Sequence, residues 1–308
     1  SENTIQESIA QVYIQILYAA ESVRVNENTL QVSIAQRDRG EQLLNAGSIA
    51  KSDFAQLEAQ VSTDRYQLVT AQATLQDYKL QLKQLLELDG ENEMDVYLPN
   101  LSDENVLAPL PTQKDVYVSA LAIRPEIEAS KLNVEASELG MDIAKSGYFP
   151  TISLSAGIGT NHTSGSDFTF GEQVKNGWNN SIGLSVSVPI FNNRQTKSAV
   201  QKAKLQRETS MLSLLDEQKA LYKAIEGLWL DANSAQQRYA AANEKLRSTQ
   251  ISYDLISEQF NLGMKNTIEL LTEKNNLLQA QQEQLQAKYM AILNTQLLKF
   301  YQGDTLAL

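Results

Sequence analysis

Two long stretches of this sequence repeat apolar residues at alternating intervals of three and four. The first seam comprises Phe54, Leu57, Val61, Asp64, Leu68, Ala71, Leu75, Tyr78, Leu82 and Leu85, with Asp64 as its one polar interruption. The second comprises Ile225, Leu228, Ala232, Ala235, Tyr239, Ala242, Leu246, Thr249, Tyr253, Ile256 and Phe260. A sustained period of 3.5 residues predicts helices that supercoil around one another with a left-handed twist. Residues 198–262 hold no proline, so the second helix is predicted to reach roughly 100 Å.

The two seams belong to an internal repeat. A shift of 216 residues, without a gap, places Ile9, Val12, Ile16, Ala19 and Leu30 on Ile225, Leu228, Ala232, Ala235 and Leu246. The same shift places Gly47 on Gly263 and Tyr13 on Trp229, a pair of aromatic positions that we predict to be core. Each copy therefore predicts a helix, a tight glycine turn and an antiparallel second helix. We expect Ser52 and Thr267 to cap the second helices, each with a carboxylate following in the first turn.

A second stripe of residues spaced by seven runs along the first seam's helix, at Ala59, Tyr66, Ala73 and Leu80. A helix with two stripes can pack against a neighbour on each side. This pattern favours a ring of helices over an isolated hairpin.

Composition narrows the functional classes. The formal net charge of −11 and the lack of a basic run argue against a nucleic acid or an anionic membrane surface as partner. There is no Cys, no run of 18 apolar residues and no opening signal peptide, and the single His162 falls in a polar loop that we predict to be surface. No catalytic triad, paired carboxylates or phosphate loop stands out, so we predict neither an enzyme nor a metal or cofactor site.

Between the repeats the pattern changes. Residues 88–125 contain Asp89-Gly90 and several prolines and predict a connector with little helix before Gln113, followed by a helix at about 126–146. Residues 151–159 and 181–188 then alternate apolar with small polar side chains, around a polar loop at 160–180 that holds Phe168, Phe170 and Trp178. These strands have the length and alternation of membrane-spanning β-strands.

The same alternation also describes an ordinary hairpin with one buried face, and taken alone it does not decide between the two. An isolated hairpin is barely stable, and a sheet in lipid must close. If the strands face lipid, we expect three or more copies of the chain, or further sequence, to complete the sheet. Two interpretations of the loop residue Trp178 remain, a membrane-interface anchor or a residue that packs within the loop.

At this point the chain resembles the TolC-like outer-membrane efflux family. The resemblance rests on Gly147-Tyr148-Phe149-Pro150, on Val188-Pro189-Ile190-Phe191, on the two glycine tips and on their order along the repeat. It implies a mostly α fold in which two long coiled-coil hairpins are joined through one membrane-type β-hairpin. The implied regions are a first periplasmic hairpin (1–88), an equatorial connector (89–125), a helix leading to the barrel (126–148), a transmembrane β-hairpin with external loop (149–191), a second periplasmic hairpin (192–302) and a tail (303–308).

The resemblance also implies an assembly. Members of the family are outer-membrane homotrimers in which each protomer gives four strands to a twelve-strand barrel, with periplasmic helices below that contact an adaptor protein and an inner-membrane pump. Only one strand pair is present here, so we expect an N-terminal truncation that removes another pair. An upstream lipidated Cys, found in many relatives, would lie in that missing part.

Site residues follow from the resemblance, by their distance from each tip glycine. The adaptor-docking tips are Leu44, Asn45, Ala46, Gly47, Ser48, Asn261, Leu262, Gly263 and Met264. The gate or entrance residues are Ser52, Asp53, Phe260, Lys265 and Glu269, and the barrel–helix junctions are Tyr148, Phe149, Pro150, Pro189, Ile190 and Phe191.

The resemblance gives individual gate residues specific roles, and each has a simpler structural alternative. Three Glu269 side chains in a trimer would line the entrance, favour cations and raise one another's pKa. Lys265 would pair with the Ser52 hydroxyl, whereas Phe260 replaces a tyrosine and removes a hydrogen bond to Asp53. Alternatively, Glu269 stabilises a helix N-terminus, Lys265 is a solvated loop charge, and the tip glycines serve only a left-handed turn.

The implied function is a passive conduit in a tripartite export system, with the substrate chosen by the pump. The alternative is a periplasmic coiled-coil adaptor or scaffold without a pore. A purely structural coiled coil is a third possibility, although such a protein has no need of residues 149–191. The transported substrate does not follow from the sequence.

Overall fold

A computed structural model describes residues 2–88, 96–99, 106–165 and 167–305. The predicted Asp89-Gly90 turn, the rest of the connector within 89–95 and 100–105, and the end of the tail at 306–308 lie outside the described residues. The chain divides into two units, which we describe separately. The hairpin unit comprises Ser1–Ile123 and Leu221–Leu308, and the strand unit comprises Arg124–Ala220.

Helices dominate the described part of the chain. In order, the elements are α1 (Glu2–Asn45), α2 (Lys51–Leu85), α3 (Gln113–Ile123), α4 (Pro125–Ser146), β1 (Thr151–Gly159), α5 (Phe170–Asn176), β2 (Asn179–Ser187), α6 (Gln195–Asn261) and α7 (Thr267–Gln302). This order confirms the predicted fold class of two long helical hairpins joined through a β-hairpin. Among the described helices, none combines the length and the apolar character that crossing a membrane requires.

The hairpin unit is held together along the two predicted seams. In α2 the seam residues Leu57, Val61, Asp64 and Leu82 are buried, and in α6 so are Ile225, Ala232, Ala235, Tyr239 and Phe260. The antiparallel course of α6 and α7 is evident from two side-chain contacts, Lys245 Nζ to Glu283 Oε2 at 2.7 Å and Ser252 Oγ to Glu273 Oε2 at 3.1 Å. The two hairpins pack on each other through an apolar cluster of α1 and α7, formed by Ile14, Leu17, Leu285, Tyr289, Leu293 and Leu297.

The connector is tied to the hairpins by two aromatic side chains at equivalent positions of the repeat. Trp229 Nε1 donates to the Pro111 carbonyl at 3.1 Å, and Tyr13 Oη donates to the Tyr97 carbonyl at 2.8 Å. Both side chains are half-buried and contact the apolar clusters. Their indole and hydroxyl groups therefore satisfy backbone carbonyls of a segment without regular structure. The sequence predicted core positions here and missed this second role.

In the strand unit, β1 and β2 form an antiparallel pair whose register aligns the apolar side chains. Ile152 lies opposite Val186, Leu154 opposite Leu184 and Ala156 opposite Ile182. Because side chains alternate between faces, these pairs share one face, as predicted. Every residue of both strands is exposed. The second strand begins at Asn179, two residues before the predicted Ser181.

The loop between the strands contains a short helix that the sequence reading missed. Thr169 is the N-cap of α5; its Oγ1 accepts from the Glu172 N–H, and the Glu172 carboxylate accepts from the Thr169 N–H at 2.9 Å. This is a capping box, for which threonine followed three residues later by glutamate is the sequence signature. The signature was present, but the surrounding Gly, Ser and Asn residues predicted a plain loop.

Candidate functional site at the hairpin tips

Both hairpins turn in the same way. Gly47 and Gly263 have φ values of 72° and 73°. The Gly47 N–H donates to Leu44 and the Ser48 N–H to Leu43, at 2.9 and 2.8 Å; at the other tip, Gly263 donates to Phe260 and Met264 to Gln259, both at 2.9 Å. This pair of bonds is the Schellman motif, which satisfies the last helical carbonyls and needs a left-handed residue. The repeat therefore preserves the backbone of the turn as well as the apolar seams.

The tips present apolar side chains to solvent. Leu262 and Met264 are 69% and 70% exposed. Of the other predicted docking residues, Asn45, Ala46, Gly47, Ser48, Asn261 and Gly263 are exposed and Leu44 is half-buried. These side chains are therefore accessible from solvent at the second tip.

The predicted entrance residues Lys265 and Glu269 contact each other within one chain. Lys265 Nζ donates to Glu269 Oε1 at 2.5 Å. Glu269 also completes a capping box at the start of α7: its Oε2 accepts from the Asn266 N–H at 3.2 Å, and its own N–H donates to Asn266 Oδ1 at 2.9 Å. The hydrogen bond from Lys265, followed by the backbone bond, lowers the pKa of Glu269. Within the chain this is opposite to the rise that crowding in a trimer would cause.

The predicted caps need correction at both tips. Thr267 is the first residue of α7, and the cap is Asn266, whose amide oxygen accepts from the backbone. Ser52 lies in the first turn of α2 after the N-cap Ala50, and the side chain that contacts this cap is Asp53, whose Oδ2 accepts from the Ala50 N–H at 3.3 Å. Within one chain Lys265 pairs with Glu269, and its pairing with the Ser52 hydroxyl in an assembled gate stays a prediction.

Phe260, a predicted gate residue, is buried within one chain. It is 2% exposed and packs with Leu57 and Leu270 in one apolar cluster. The cluster joins α2, α6 and α7 close to the tips. Since phenylalanine has no hydroxyl, Phe260 has no group to make the hydrogen bond to Asp53 that the family resemblance offers.

One contact between the tips had no sequence signal. Arg39 Nη2 on α1 donates to the Asn261 carbonyl at the end of α6, at 3.1 Å. A cation near a helix C-terminus also interacts favourably with the helix dipole. Arg39 thus joins the two hairpins at the level of their turns.

A buried polar cluster lies farther from the tips, and it explains the interruption of the first seam. Asp64 Oδ2 accepts from Lys274 Nζ of α7 and from Ser33 Oγ of α1, while Asp64 Oδ1 accepts from Gln60 Nε2 at 2.9 Å. Lys274 Nζ also donates to Ser33 Oγ. Ser33, Asp64 and Lys274 are 2%, 1% and 3% exposed. Burial lowers the pKa of Lys274, although Asp64 opposes this shift.

In the strand unit, the predicted junction residues surround the ends of the strands. Tyr148, Phe149, Ile190 and Phe191 are all exposed, by 56% to 94%. Pro150 and Pro189 are exposed as well. Thr196 Oγ1 donates to the Gly147 carbonyl at 3.3 Å and thereby joins the start of α6 to the end of α4. The residues just before α6, Asn193 and Arg194, have φ values of 47° and 63°, a rare conformation for residues other than glycine.

Among the described residues, no group of three or more His, Asp or Glu side chains is placed to hold a metal ion. The described surfaces that stand out are the exposed apolar side chains Leu262 and Met264 at the second tip and the exposed apolar face of the two strands.

A protein-family model described as outer membrane efflux protein matches residues 116–303, which include both strands and the whole second hairpin. The chain belongs to the outer membrane efflux protein family. The outer membrane efflux protein BepC of Brucella suis is 25% identical over 294 residues, with 95% of this chain and 61% of that protein covered. The outer membrane protein TolC of Escherichia coli is 25% identical over 306 residues, with 95% and 60% covered.

Solved structures show the same fold. The crystal structure of CusC superimposes with a TM-score of 0.81 at 19% identity and covers 97% of this chain and 68% of that one. The outer membrane protein VceC of Vibrio cholerae gives a TM-score of 0.78 at 16% identity, with 99% and 71% covered. These relatives are named as efflux or outer-membrane proteins and not as enzymes. The chain spans about three fifths of the length of the curated relatives it matches.

Proposed function

We propose that this chain is the larger part of an outer-membrane channel subunit, a passive conduit that carries substrates delivered by an inner-membrane pump and a periplasmic adaptor. The observation that carries the proposal is the β-hairpin, whose aligned apolar residues are all exposed. Exposed apolar side chains on one face and small polar ones on the other suit a sheet between lipid and water. The proposed location is the outer membrane, with a helical extension into the periplasm.

The helices support assembly into a closed ring. The second stripe of α2 is exposed within one chain, with Tyr66 74% and Leu80 63% accessible, and Ala59 and Ala73 exposed. A row of accessible apolar residues spaced by seven is the packing surface of a further coiled-coil neighbour. We assign that neighbour to another copy of the chain in a homotrimer.

The tips are the proposed contact with the adaptor and the proposed entrance. Exposed Leu262 and Met264 offer apolar anchors, and the shared turn geometry presents both tips in the same way. Asp53, Lys265 and Glu269 are the proposed entrance charges. Because each Glu269 is paired with its own Lys265, the proposed entrance attracts cations less strongly than a ring of three free carboxylates.

A non-catalytic role agrees with this proposal, since movement through a lumen needs no reacting group. The alternative of an adaptor without a pore gains no support from the fold neighbours, and it leaves the exposed apolar strand face unexplained. The conduit is therefore the function that we favour.

The experiment is a pair of arginine variants on adjacent residues of β2. Leu184 and Ser185 are both exposed but point to opposite faces. In the conduit, Leu184→Arg places a charge against lipid at a cost of about 2–4 kcal/mol at mid-membrane, whereas Ser185→Arg faces water. We expect Leu184→Arg to deplete detergent-stable trimers from the outer-membrane fraction of cells that express the full-length protein.

The control, Ser185→Arg, is expected to assemble normally and to alter only the single-channel conductance in planar bilayers. Equal recovery of the two variants in the outer membrane would contradict a lipid-facing sheet. Recovery of the unmodified protein in the soluble periplasm would instead favour the adaptor.

Docking at the tips has its own test. A photo-crosslinking residue at Met264 is expected to capture the adaptor in cells, whereas the same residue at Tyr66, exposed on α2 away from the tips, is expected to capture another copy of the chain. Capture of the adaptor only from position 66 would place docking on the side of the hairpins.

A further inference from the structure

The buried polar cluster of Ser33, Gln60, Asp64 and Lys274 connects the two hairpins through their interior. Ser33 lies on α1, Gln60 and Asp64 on α2, and Lys274 on α7. The ammonium and the carboxylate contact each other directly, and the Ser33 hydroxyl bridges them. One acid and one base from separate hairpins are thus enclosed together among apolar seams.

The position of the cluster along the hairpins is well defined. Ser33 precedes Gly47 by 14 residues, and Lys274 follows Gly263 by 11. At 1.5 Å per residue, Ser33 and Lys274 lie about 17–21 Å from the two turns. Closer to the tips, the contacts between the hairpins include the apolar cluster of Leu57, Phe260 and Leu270 and the hydrogen bond from Arg39. They also include a hydrogen bond from Gln36 Nε2 to Tyr253 Oη at 2.8 Å.

Apolar packing and the buried ion pair respond differently when one hairpin slides against the other. Apolar packing is not directional, and a displaced side chain finds new apolar neighbours. A buried ion pair tolerates no such shift, because separating the partners leaves charges without compensation in a dry interior. A sliding or tilting motion of one hairpin against the other is therefore opposed most strongly at the level of Lys274. Between Lys274 and the tips, apolar packing and hydrogen bonds that are exposed or partly buried oppose it less, because such bonds can be exchanged for bonds to water.

We propose that the buried polar cluster fixes the register between the two hairpins and sets the point beyond which the tips are able to move. The tip segments, residues 41–52 and 257–268, then rearrange together, while the parts of the hairpins that lie farther from the tips than Lys274 stay in place. The register role concerns the fold of one chain; its use in opening an entrance rests on the proposed function.

Two variants separate a register role from simple stabilisation. Lys274→Met leaves Asp64 buried without its cationic partner. The double variant Asp64→Leu with Lys274→Met replaces the pair by apolar side chains, which commonly leaves stability unchanged or increases it. The matched control is Lys245→Met, the same change in the exposed α6–α7 pair with Glu283, whose side chains are 48% and 41% accessible.

The measurement is hydrogen–deuterium exchange of the full-length trimer by mass spectrometry, together with its unfolding temperature. We expect Lys274→Met to raise exchange in both tip segments at least about tenfold. The double variant is expected to keep the wild-type unfolding temperature and still raise tip exchange at least about threefold, since apolar packing does not fix register. Lys245→Met is expected to match the wild type, because exposed ion pairs contribute little.

Wild-type tip exchange in the double variant would overturn the proposal, since packing alone would then suffice. A rise spread evenly over all helices would overturn it too, because that is the signature of global destabilisation. If Lys274→Met does not accumulate, the double variant alone decides. Planar-bilayer conductance of the unmodified protein is recorded in parallel. A protein that does not conduct but shows the expected exchange pattern contradicts the proposed channel and supports the register role. A protein that conducts but lacks the expected exchange pattern contradicts the register role alone.

Discussion

Alanine at the second tip glycine is a direct test of why the hairpins turn where they do. Gly263 has φ 73°, and a Cβ added there would meet no heavy atom within 4 Å. The cost of Gly263→Ala is therefore conformational and not steric. A left-handed conformation costs an alanine about 1–2 kcal/mol, while the reduced freedom of the unfolded chain returns about 0.4–1 kcal/mol. We expect a net loss of about 1 kcal/mol in the free energy of unfolding.

Gly227 provides the control, because it is also free of atoms within 4 Å of an added Cβ but lies inside α6. There the same substitution removes a helix-interior glycine and is expected to stabilise by about 0.5–1 kcal/mol. Two chemically identical changes should thus differ by about 2 kcal/mol, with opposite signs. A third variant, Gly263→Asn, should cost less than Gly263→Ala although asparagine is larger, since asparagine tolerates the left-handed region.

The assay is urea unfolding of the full-length protein in detergent, followed by circular dichroism at 222 nm, with the three variants measured at one protein concentration. A fixed concentration matters because assembly contributes to the apparent stability. The reasoning fails if Gly263→Ala and Gly227→Ala shift the midpoint in the same direction, or if Gly263→Asn is the most damaging of the three.

Three further predictions follow from buried or paired groups. Leu298→Ala, at a fully buried position of α7, should lower the unfolding free energy by about 2–5 kcal/mol in the same assay. Burial raises the pKa of Tyr289 to about 12. Its neutral form therefore stabilises the fold below pH ~10, and this contribution is lost as the pH rises to about 12. Tyr289→Phe should remove a transition near pH 12 from the absorbance titration at 295 nm. The pKa of Glu269 is lowered, so its stabilisation is present above the unfolded carboxyl value of about 4.3 and is lost as the pH falls through the folded one; carbon-13 NMR should show the Glu269 pKa rising in Lys265→Met.

The long helices and both turns were predictable because their causes are local. A 3.5-residue period needs only the order of apolar residues along one helix, and a left-handed turn residue needs glycine. Even so, capping was misassigned by one or two residues. Ser52 and Thr267 have suitable side chains, but Asn266 precedes Thr267 and provides the oxygen. Helix ends fray over one or two residues, and sequence patterns do not resolve differences that small.

The buried polar cluster could not be predicted, because its partners are far apart in the chain. The sequence showed that Asp64 interrupts an apolar seam, and this was the only signal. Lys274 is 210 residues away. It lies in a helix that holds several other charged residues, and the sequence does not distinguish it from them. Only the packing of α7 against both α1 and α2 selects this lysine, and packing between hairpins is not encoded in the period of either one. Arg39 and Asn261 illustrate the same limit.

The distribution of tryptophan gives this protein a built-in optical readout. Its two tryptophans fall one in each unit, Trp178 in the strand unit and Trp229 in the hairpin unit. Trp178 is 57% exposed beside β2, so its emission follows the polarity of whatever surrounds the strands. Trp229 is half-buried with its indole N–H on the Pro111 carbonyl, so its emission follows the docking of the connector. In Trp229→Phe the remaining Trp178 reports the polarity around the strands, and in Trp178→Phe the remaining Trp229 reports the docking of the connector.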